Sequence, residues 1–210
     1  MAEAGSAADF LPSQIDLPHL REAAQGCRGC ALYRNATQAV FGEGPATARA
    51  VLVGEQPGDQ EDGTGRPFVG PAGQLLDRAL RDAGLDRRAL YLTNAVKHFK
   101  WEPRGQRRLH RKPAAHEIRA CRPWLEAELA LLRPRVLVCL GVTAATAVFG
   151  RPVRLKDVRG LFSASPLAAA TFVTTHPSAL LRLRDRQGWE FEYQRLVRDL
   201  LLVRERLEAF

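Results

Sequence analysis

Polar side chains follow three apolar, strand-like segments of this sequence, and the residues after such strands often form the ligand-binding or catalytic site of an α/β protein. AVLVG runs into Glu55 and Gln56, with Asp59 close behind. ALYLTNAV carries Asn94 near its end, and ATFVTT runs into His176. An Asn often caps a turn and a His before Pro-Ser is often a turn histidine. Ligands of parallel sheets bind outside the carboxyl ends of the strands, so three such coincidences favour a catalytic cleft.

The segment after the first strand, GEQPGDQEDGTGRPFVGPAG, is rich in glycine and proline and contains one aromatic residue, Phe68. Glycine permits tight turns and close approach of the backbone to a ligand. An aromatic residue in such a loop either plugs the space beneath it or contacts a ligand. The pattern alone leaves both interpretations open.

The chain has four cysteines, of which Cys27 and Cys30 form a Cys-x-x-Cys pair after a predicted short helix. In a cytosolic protein, free cysteines serve a metal site, a redox pair or packing. A thioredoxin-like redox pair needs a preceding strand, which is missing here, so the spacing favours metal. Cys139 lies in the apolar strand RVLVCLG, where a cysteine commonly acts as a small hydrophobe.

Most of the net charge of +8 falls in residues 97–112, KHFKWEPRGQRRLHRK. This segment holds seven basic residues against the single acid Glu102. A charge run is usually a solvated face. Interleaving with Phe99 and Trp101 at the end of a strand instead suits phosphates and unstacked bases, so the segment predicts a nucleic-acid contact.

Strands alternate with helices along the chain, which predicts a three-layer α/β/α fold with a central parallel sheet of about four strands. We expect residues 1–210 to form one domain, with residues 1–18 a loosely ordered arm and order beginning near Leu20. Pro123 predicts a kink or break in its helix, because its ring would clash with the carbonyl of Arg119. The start lacks signal-peptide features and no apolar run is long enough to span a bilayer, so we expect a cytoplasmic protein. We also expect a monomer.

Taken together, GEQPG with PFVGPAG, TNAVK, CRPWL and HPSALLR resemble the iron–sulfur uracil-DNA glycosylases, known as family 4, over nearly the whole chain from Cys27 on. Two features narrow the resemblance to one branch of this family. Family-4 members commonly have Gly or Ala where this chain has Gln56, and they lack the insertion RRLHRK. GEQPGDQED with KHFK and RRLH is similar to the UdgX branch, whose members attach covalently to uracil-bearing DNA.

This resemblance implies a uracil-DNA glycosylase-like fold and a role for each strand-end residue. His176 matches the histidine that donates a hydrogen bond to the uracil oxygen where charge develops. Phe68 matches the aromatic that stacks on the extruded base, and Asn94 matches the amide that reads its pairing edge. Gly54 and Asp59 would contribute to the uracil pocket, Asp59 through main-chain groups. Extruding a base costs less in single strands than in a duplex, so we expect single-stranded DNA to be preferred.

His110 falls at the position that bonds to the sugar C1′ in UdgX-type proteins, although a histidine in a basic loop would otherwise be an ordinary surface residue. We expect the surrounding arginines to lower its pKa and keep it nucleophilic. Glu55 would orient the ring or take its proton, and Gln56 would hold the loop closed. The residues expected to contact the DNA backbone are Lys97, Arg107, Arg108 and Arg111.

The resemblance also implies a 4Fe-4S cluster held by Cys27, Cys30, His98 and Cys121. Family-4 chains place a cysteine where this chain has His98, which leaves Cys139 to packing. An all-cysteine site with Cys139 as the fourth ligand is the alternative. Other functional classes also remain open, namely a conventional turnover glycosylase, a non-catalytic single-strand binding module and an iron–sulfur or thiol redox protein.

Overall fold

The computed structural model describes residues 5–209 and confirms the alternation of strands and helices. Its helices are α1 (Leu17–Gln25), α2 (Asp59–Thr64), α3 (Pro71–Asp82), α4 (Ala115–Leu132), α5 (Val142–Phe149), α6 (Leu155–Val158), α7 (Pro177–Leu180) and α8 (Arg186–Glu208). Its strands are β1 (Ala50–Gly54), β2 (Tyr91–Asn94), β3 (Trp101–Arg104), β4 (Arg107–His110), β5 (Val136–Leu140), β6 (Phe162–Ser165) and β7 (Ala168–Thr174). Across residues 5–209, no helix combines the length and apolar character needed to cross a bilayer.

The central sheet has five strands in the order β2-β1-β5-β7-β6. The first four are parallel, as predicted, and β6 adds an antiparallel edge strand that the sequence does not predict. In the register of the sheet, Gly54 lies opposite Asn94, so the ends of β1 and β2 meet. This register places the polar residues after both strands at one edge of the sheet.

Both faces of the sheet are covered, which confirms the three-layer α/β/α architecture. Val51 and Val53 pack with buried residues of α1, α4 and α5 on one side. Leu52, one position away, packs with residues of α3 and α8 on the other. Side chains alternate between the faces of a strand, so a sheet buried on both sides needs the continuous apolar runs seen in β1 and β5.

The basic segment forms a two-stranded antiparallel hairpin of β3 and β4, which we call the hairpin. Trp101 lies opposite His110 at its base, and Arg104 lies opposite Arg107 beside the turn. Gly105 occupies the turn with a φ of 59°. The hairpin therefore carries His110 back towards the edge of the main sheet.

Two expectations about local order are wrong. Ala7 is fully buried, and Phe10 and Leu11 pack against the core, so residues 5–18 are not a loose arm. Residues 1–4 lie outside the described residues. Helix α4 runs through Pro123 without the break that was one of the two expected outcomes, because Trp124 and Leu125 are fully buried and their packing offsets the cost of a proline in a helix, about 3 kcal/mol.

Candidate active site

The carboxyl ends of β1, β2 and β7 bring together side chains that are distant in the sequence. Gly54 lies beside Asn94 and Phe68, and the Phe68 ring faces the His176 ring with centroids 6.4 Å apart. We call Gly54, Phe68, Asn94 and His176 the strand-end pocket. Asn94 is 3% exposed and Phe68 is 6% exposed. The predicted convergence of these residues is therefore present in the structure.

The absence of a side chain at Gly54 makes room for the pocket. A Cβ at this position would lie 2.4 Å from Asn94 Oδ1 and 2.6 Å from Phe68 Cζ. Phe68 itself has a φ of 57°, a left-handed conformation that is uncommon outside glycine. Strained backbone of this kind concentrates at functional sites. Sequence patterns carry no signal for a left-handed phenylalanine, so this feature was not predicted.

Glu61 holds the two ends of the loop that carries Phe68. Its carboxylate accepts one hydrogen bond from the Gly58 N–H at 3.0 Å and another from the Gly70 N–H at 2.8 Å. Glu61 is 8% exposed. A carboxylate that accepts two backbone N–H groups in this way closes the loop around Phe68. The sequence gives only a weak indication of this role of Glu61, namely an acidic residue at the third position of α2.

His176 has a defined tautomer. The backbone N–H of Ser178 donates to His176 Nδ1 at 3.1 Å, so in the neutral ring the hydrogen resides on Nε2. Burial, together with smaller contributions from the nearby His110 and Arg182, lowers the pKa of His176 to about 4. A Cβ at Gly141 would lie 3.0 Å from His176 Cβ, which shows how closely the backbone approaches. His176 is therefore a neutral imidazole with an Nε2–H to donate.

His110 ends β4 and faces the acid that follows β1. His110 Nε2 lies 3.5 Å from Glu55 Oε1, and the His110 side chain is 39% exposed. Burial of the ring lowers its pKa, Glu55 opposes that shift, and Arg182 adds to it. The expected lowering of the pKa is present, but burial is its main cause. The one arginine that contributes is Arg182, outside the hairpin, which sequence reasoning missed although it follows His176 in HPSALLR.

Gln56 clamps the base of the hairpin. Its Oε1 accepts from the Lys100 N–H at 3.1 Å, and its Nε2 donates to the carbonyls of Lys100 at 3.2 Å and Arg111 at 3.0 Å. Gln56 is 7% exposed, so these bonds form away from water. A Gly or an Ala at this position could make none of these three hydrogen bonds. Gln56 thus fixes the strand that ends in His110 relative to β1.

Arg108 anchors the hairpin to α2. Its guanidinium pairs with Asp59 and with Asp62, each at 2.5 Å, and lies over the rings of Phe99 at 5.4 Å and Trp101 at 5.5 Å. Asp62 is fully buried, so its charge requires this partner. Arg108 thus has two carboxylate partners within the protein, a role that the charge pattern does not reveal.

The prediction that Lys97 contacts DNA is wrong. Lys97 is 1% exposed, and its Nζ lies 2.5 Å from Glu128 Oε2 in a fully buried ion pair. The same Nζ donates to the Asn94 carbonyl at 3.0 Å. Glu128 stands 31 residues further along the chain, so sequence reasoning could not pair them. Of the arginines expected to contact DNA, Arg107 is exposed, and Arg111 is half-exposed and paired with Glu102 at 2.7 Å.

Three of the four proposed cluster ligands lie close together. Burial raises the pKa of the Cys121 thiol to about 12; Lys97 opposes this shift, and the neighbouring Cys30 and Cys27 contribute to it. The Lys97 N–H donates to Cys121 Sγ at 3.2 Å, and Trp124 Nε1 donates to Cys27 Sγ at 3.3 Å. Hydrogen bonds to the ligand sulfurs are one of the means by which proteins set the reduction potential of iron–sulfur clusters. The donor set therefore fits a thiolate-bound group.

His98 is buried, and burial lowers its pKa to about 4 while Asp62 opposes the shift. A neutral imidazole is the form that binds metals. Within residues 5–209, no group of three or more His, Cys, Asp or Glu side chains is arranged to hold a metal ion. Cys27, Cys30, His98 and Cys121 are the residues that would hold a four-iron cluster. Cys139 is fully buried in β5, as expected of a packing residue.

Comparisons with known proteins identify the family. Residues 41–200 match the model of the uracil DNA glycosylase superfamily. The type-4 uracil-DNA glycosylase of Thermotoga maritima is 40% identical over 171 residues, 79% of this chain and 83% of the relative. That of Pyrobaculum aerophilum is 37% identical over 175 residues, 80% of this chain and 86% of the relative. The type-5 enzyme of Thermus thermophilus is 38% identical over 124 residues, about half of each chain. This chain belongs to the uracil-DNA glycosylase superfamily, in its family-4 branch.

Proposed function

We propose that this protein excises uracil from DNA, preferentially from single strands, and becomes covalently linked through His110 to C1′ of the abasic sugar. Family membership supports the glycosylase activity. The covalent step is supported by one observation above all, the approach of His110 Nε2 to within 3.5 Å of Glu55 Oε1 at the edge of the strand-end pocket. The competing proposal is a family-4 glycosylase that turns over without a stable adduct.

In this proposal, the strand-end pocket receives the extruded uracil. Phe68 stacks on the base and the amide of Asn94 pairs with its edge. Breaking the glycosidic bond sends the bonding electrons to uracil, and the Nε2–H of His176 donates to the oxygen where this negative charge develops. The pKa of about 4 keeps His176 neutral, so it stabilises the departing anion by hydrogen bonding. Asp59 binds Arg108 through its carboxylate and its carbonyl, which leaves its main-chain N–H to line the pocket.

Loss of uracil leaves an oxocarbenium-like sugar that the nearest nucleophile captures. One imidazole nitrogen of His110 forms the new bond to C1′, and the proton on the imidazole passes to Glu55 or to solvent. The lowered pKa keeps His110 neutral and able to attack near pH 7. Gln56 and Arg108 hold the hairpin so that His110 precedes water. An imidazole–sugar bond has no good leaving group, so each molecule reacts once.

The DNA backbone is proposed to run along the exposed arginines of the hairpin. Arg107 is exposed at the turn, and Arg111 is half-exposed at the base, where its pair with Glu102 is open to solvent. Exposed ion pairs are worth little, about 0–1 kcal/mol, so a phosphate can compete with Glu102. Arg108 contributes chiefly by anchoring the hairpin. A module that only bound single strands would have this surface too, but it would need neither His176 nor Glu55.

We further propose a 4Fe-4S cluster on Cys27, Cys30, His98 and Cys121, which supports the segment between β2 and the hairpin. Iron and sulfide content, with visible absorption, should be measured for His98→Ala and Cys139→Ala. Loss or weakening of the cluster is expected only in His98→Ala. If the cluster is lost only in Cys139→Ala, Cys139 is the fourth ligand instead.

The covalent function is tested by incubating the protein with single-stranded oligonucleotides that contain uracil or thymine. A uracil-dependent protein–DNA species that survives boiling in detergent, together with released uracil, is expected. His110→Ser should release uracil and form abasic sites without that species. A parent protein that turns over freely without crosslinking would establish the conventional glycosylase instead.

A further inference from the structure

The end of β5 supplies a polar side chain that none of these roles uses. Thr143 is the second residue of α5 and is 4% exposed, and its hydroxyl donates a hydrogen bond to Glu55 Oε2. The other carboxylate oxygen, Oε1, faces His110 Nε2 at 3.5 Å. We propose that Thr143 is a positioning residue that fixes the Glu55 carboxylate against His110 and so favours capture of the sugar by imidazole over capture by water. This inference rests on the proposed covalent function.

Glu55 needs such an anchor. Its side chain is 22% exposed and has three rotatable bonds, so an unrestrained carboxylate would sample orientations in solvent. A hydrogen bond from a hydroxyl to an ionised carboxylate is among the stronger protein hydrogen bonds. With Oε2 held by Thr143, Oε1 lies towards His110. The two oxygens of a single carboxylate therefore connect α5 to the hairpin.

Thr143 is itself rigidly placed. It is buried and β-branched, which restricts its side-chain rotation within a helix. The residue that begins this turn, Gly141, has a φ of 88° and donates its N–H to the Thr174 carbonyl at 2.8 Å. Thr174 ends β7, two residues before His176. Thr143, which holds Glu55, is thus connected through Gly141 to the end of β7, the strand that positions His176.

The position of Glu55 matters most after uracil has left. His110 and water compete for the same carbon, and the His110 side chain is 39% exposed, so its ring has room to turn away. A fixed carboxylate at Nε2 selects the ring orientation that attacks. Misplacing a reacting group by about 1 Å can cost about 100-fold in rate. Freeing Glu55 should therefore shift the outcome towards water without preventing the release of uracil.

The test uses hydroxyl deletion with a matched control. Thr143→Val removes the hydroxyl and keeps the shape, Thr143→Ala is a second hydroxyl-free variant should valine fold poorly, and Thr143→Ser retains the hydroxyl. Thr171→Val is the control, because Thr171 is fully buried and its hydroxyl bonds to Ser165 Oγ at 2.8 Å, within the β6–β7 pair. Thermal unfolding of every variant identifies simple loss of stability.

The quantity to measure is the ratio of protein-linked DNA to free abasic DNA after one reaction with a uracil-containing single strand. We expect this ratio to fall by up to about 100-fold in Thr143→Val, to recover in Thr143→Ser and to stay unchanged in Thr171→Val. In a Glu55→Ala background, Thr143→Val should cause no additional loss, because contacting residues are coupled.

A ratio in Thr143→Val equal to that of the parent protein would overturn the positioning role, as would an equally large loss in the Glu55→Ala background. Either result would leave the covalent function standing. If the parent protein forms no adduct at all, the covalent function fails and the inference falls with it. The two failures are therefore distinguishable in one experiment.

Discussion

Replacing Gly54 with alanine should disable the strand-end pocket while leaving the hairpin in place. The added Cβ would lie 2.4 Å from Asn94 Oδ1 and 2.6 Å from Phe68 Cζ, whereas ordinary van der Waals contact begins at 3.4 Å. One or both side chains must therefore move by about 1 Å. Both are buried, so they can only shift within the pocket.

The size of the effect follows from this displacement. A misplacement of about 1 Å costs about 100-fold in rate, equivalent to about 2.7 kcal/mol in the activation barrier. Overpacking a buried site also costs about 1–3 kcal/mol of folding stability. The three atoms that crowd the new Cβ belong to Asn94 and Phe68 and not to His110, so the sugars that are formed should still be captured.

The assay is single-turnover release of uracil from a single-stranded oligonucleotide, with the adduct quantified in parallel. Gly63→Ala is the matched control, because nothing lies within 4 Å of a Cβ at that position in α2. This control should release uracil at the parent rate and be neutral to slightly stabilised, by about 0.5–1 kcal/mol. Release of uracil by Gly54→Ala at the parent rate would refute the assignment of Asn94 and Phe68 to base binding.

Three further outcomes are expected. Glu128→Ala leaves Lys97 buried without its carboxylate partner and should lower the free energy of unfolding in urea by about 3–5 kcal/mol; a change within about 0.5 kcal/mol would contradict the buried pair. The pKa of His176 is lowered from 6.5 to about 4, so between these pH values the unfolded state binds more protons than the folded state, and the contribution of His176 to stability should decline as pH falls from 6.5 towards 4. In denaturant titrations across this pH range, the loss of unfolding free energy should be smaller for His176→Gln than for the parent protein, and an identical loss would contradict the shift. Arg107→Ala should flatten the slope of log affinity for single-stranded DNA against log salt by about 0.7, and an unchanged slope would remove Arg107 from the DNA contact.

The sequence predicts the central sheet and the strand-end residues because both depend on local patterns. Buried parallel strands need apolar runs, and the residues after them must meet at one edge. Glu55, Asn94 and His176 were found in this way. The family resemblance added His110, which no periodicity singles out.

The features that escaped prediction depend on contacts between distant residues. In the sequence, nothing distinguishes Lys97 from the other basic residues of its segment, and only the fold shows that Glu128 lies beside it. The strands of the hairpin are mostly exposed and polar, so they lack the alternation that marks a half-buried strand. Thr143 follows β5 as the other site residues follow their strands, but a threonine early in a helix is too common to single out.

The most direct test of the covalent function is to locate the bond. The protein is allowed to react with a uracil-containing single strand, the adduct is digested with nuclease and protease, and the modified peptide is sequenced by tandem mass spectrometry. A deoxyribose remnant lacking uracil, attached to His110, is the predicted result. A remnant on another side chain, or unmodified protein alongside free abasic DNA, would contradict self-capture by His110.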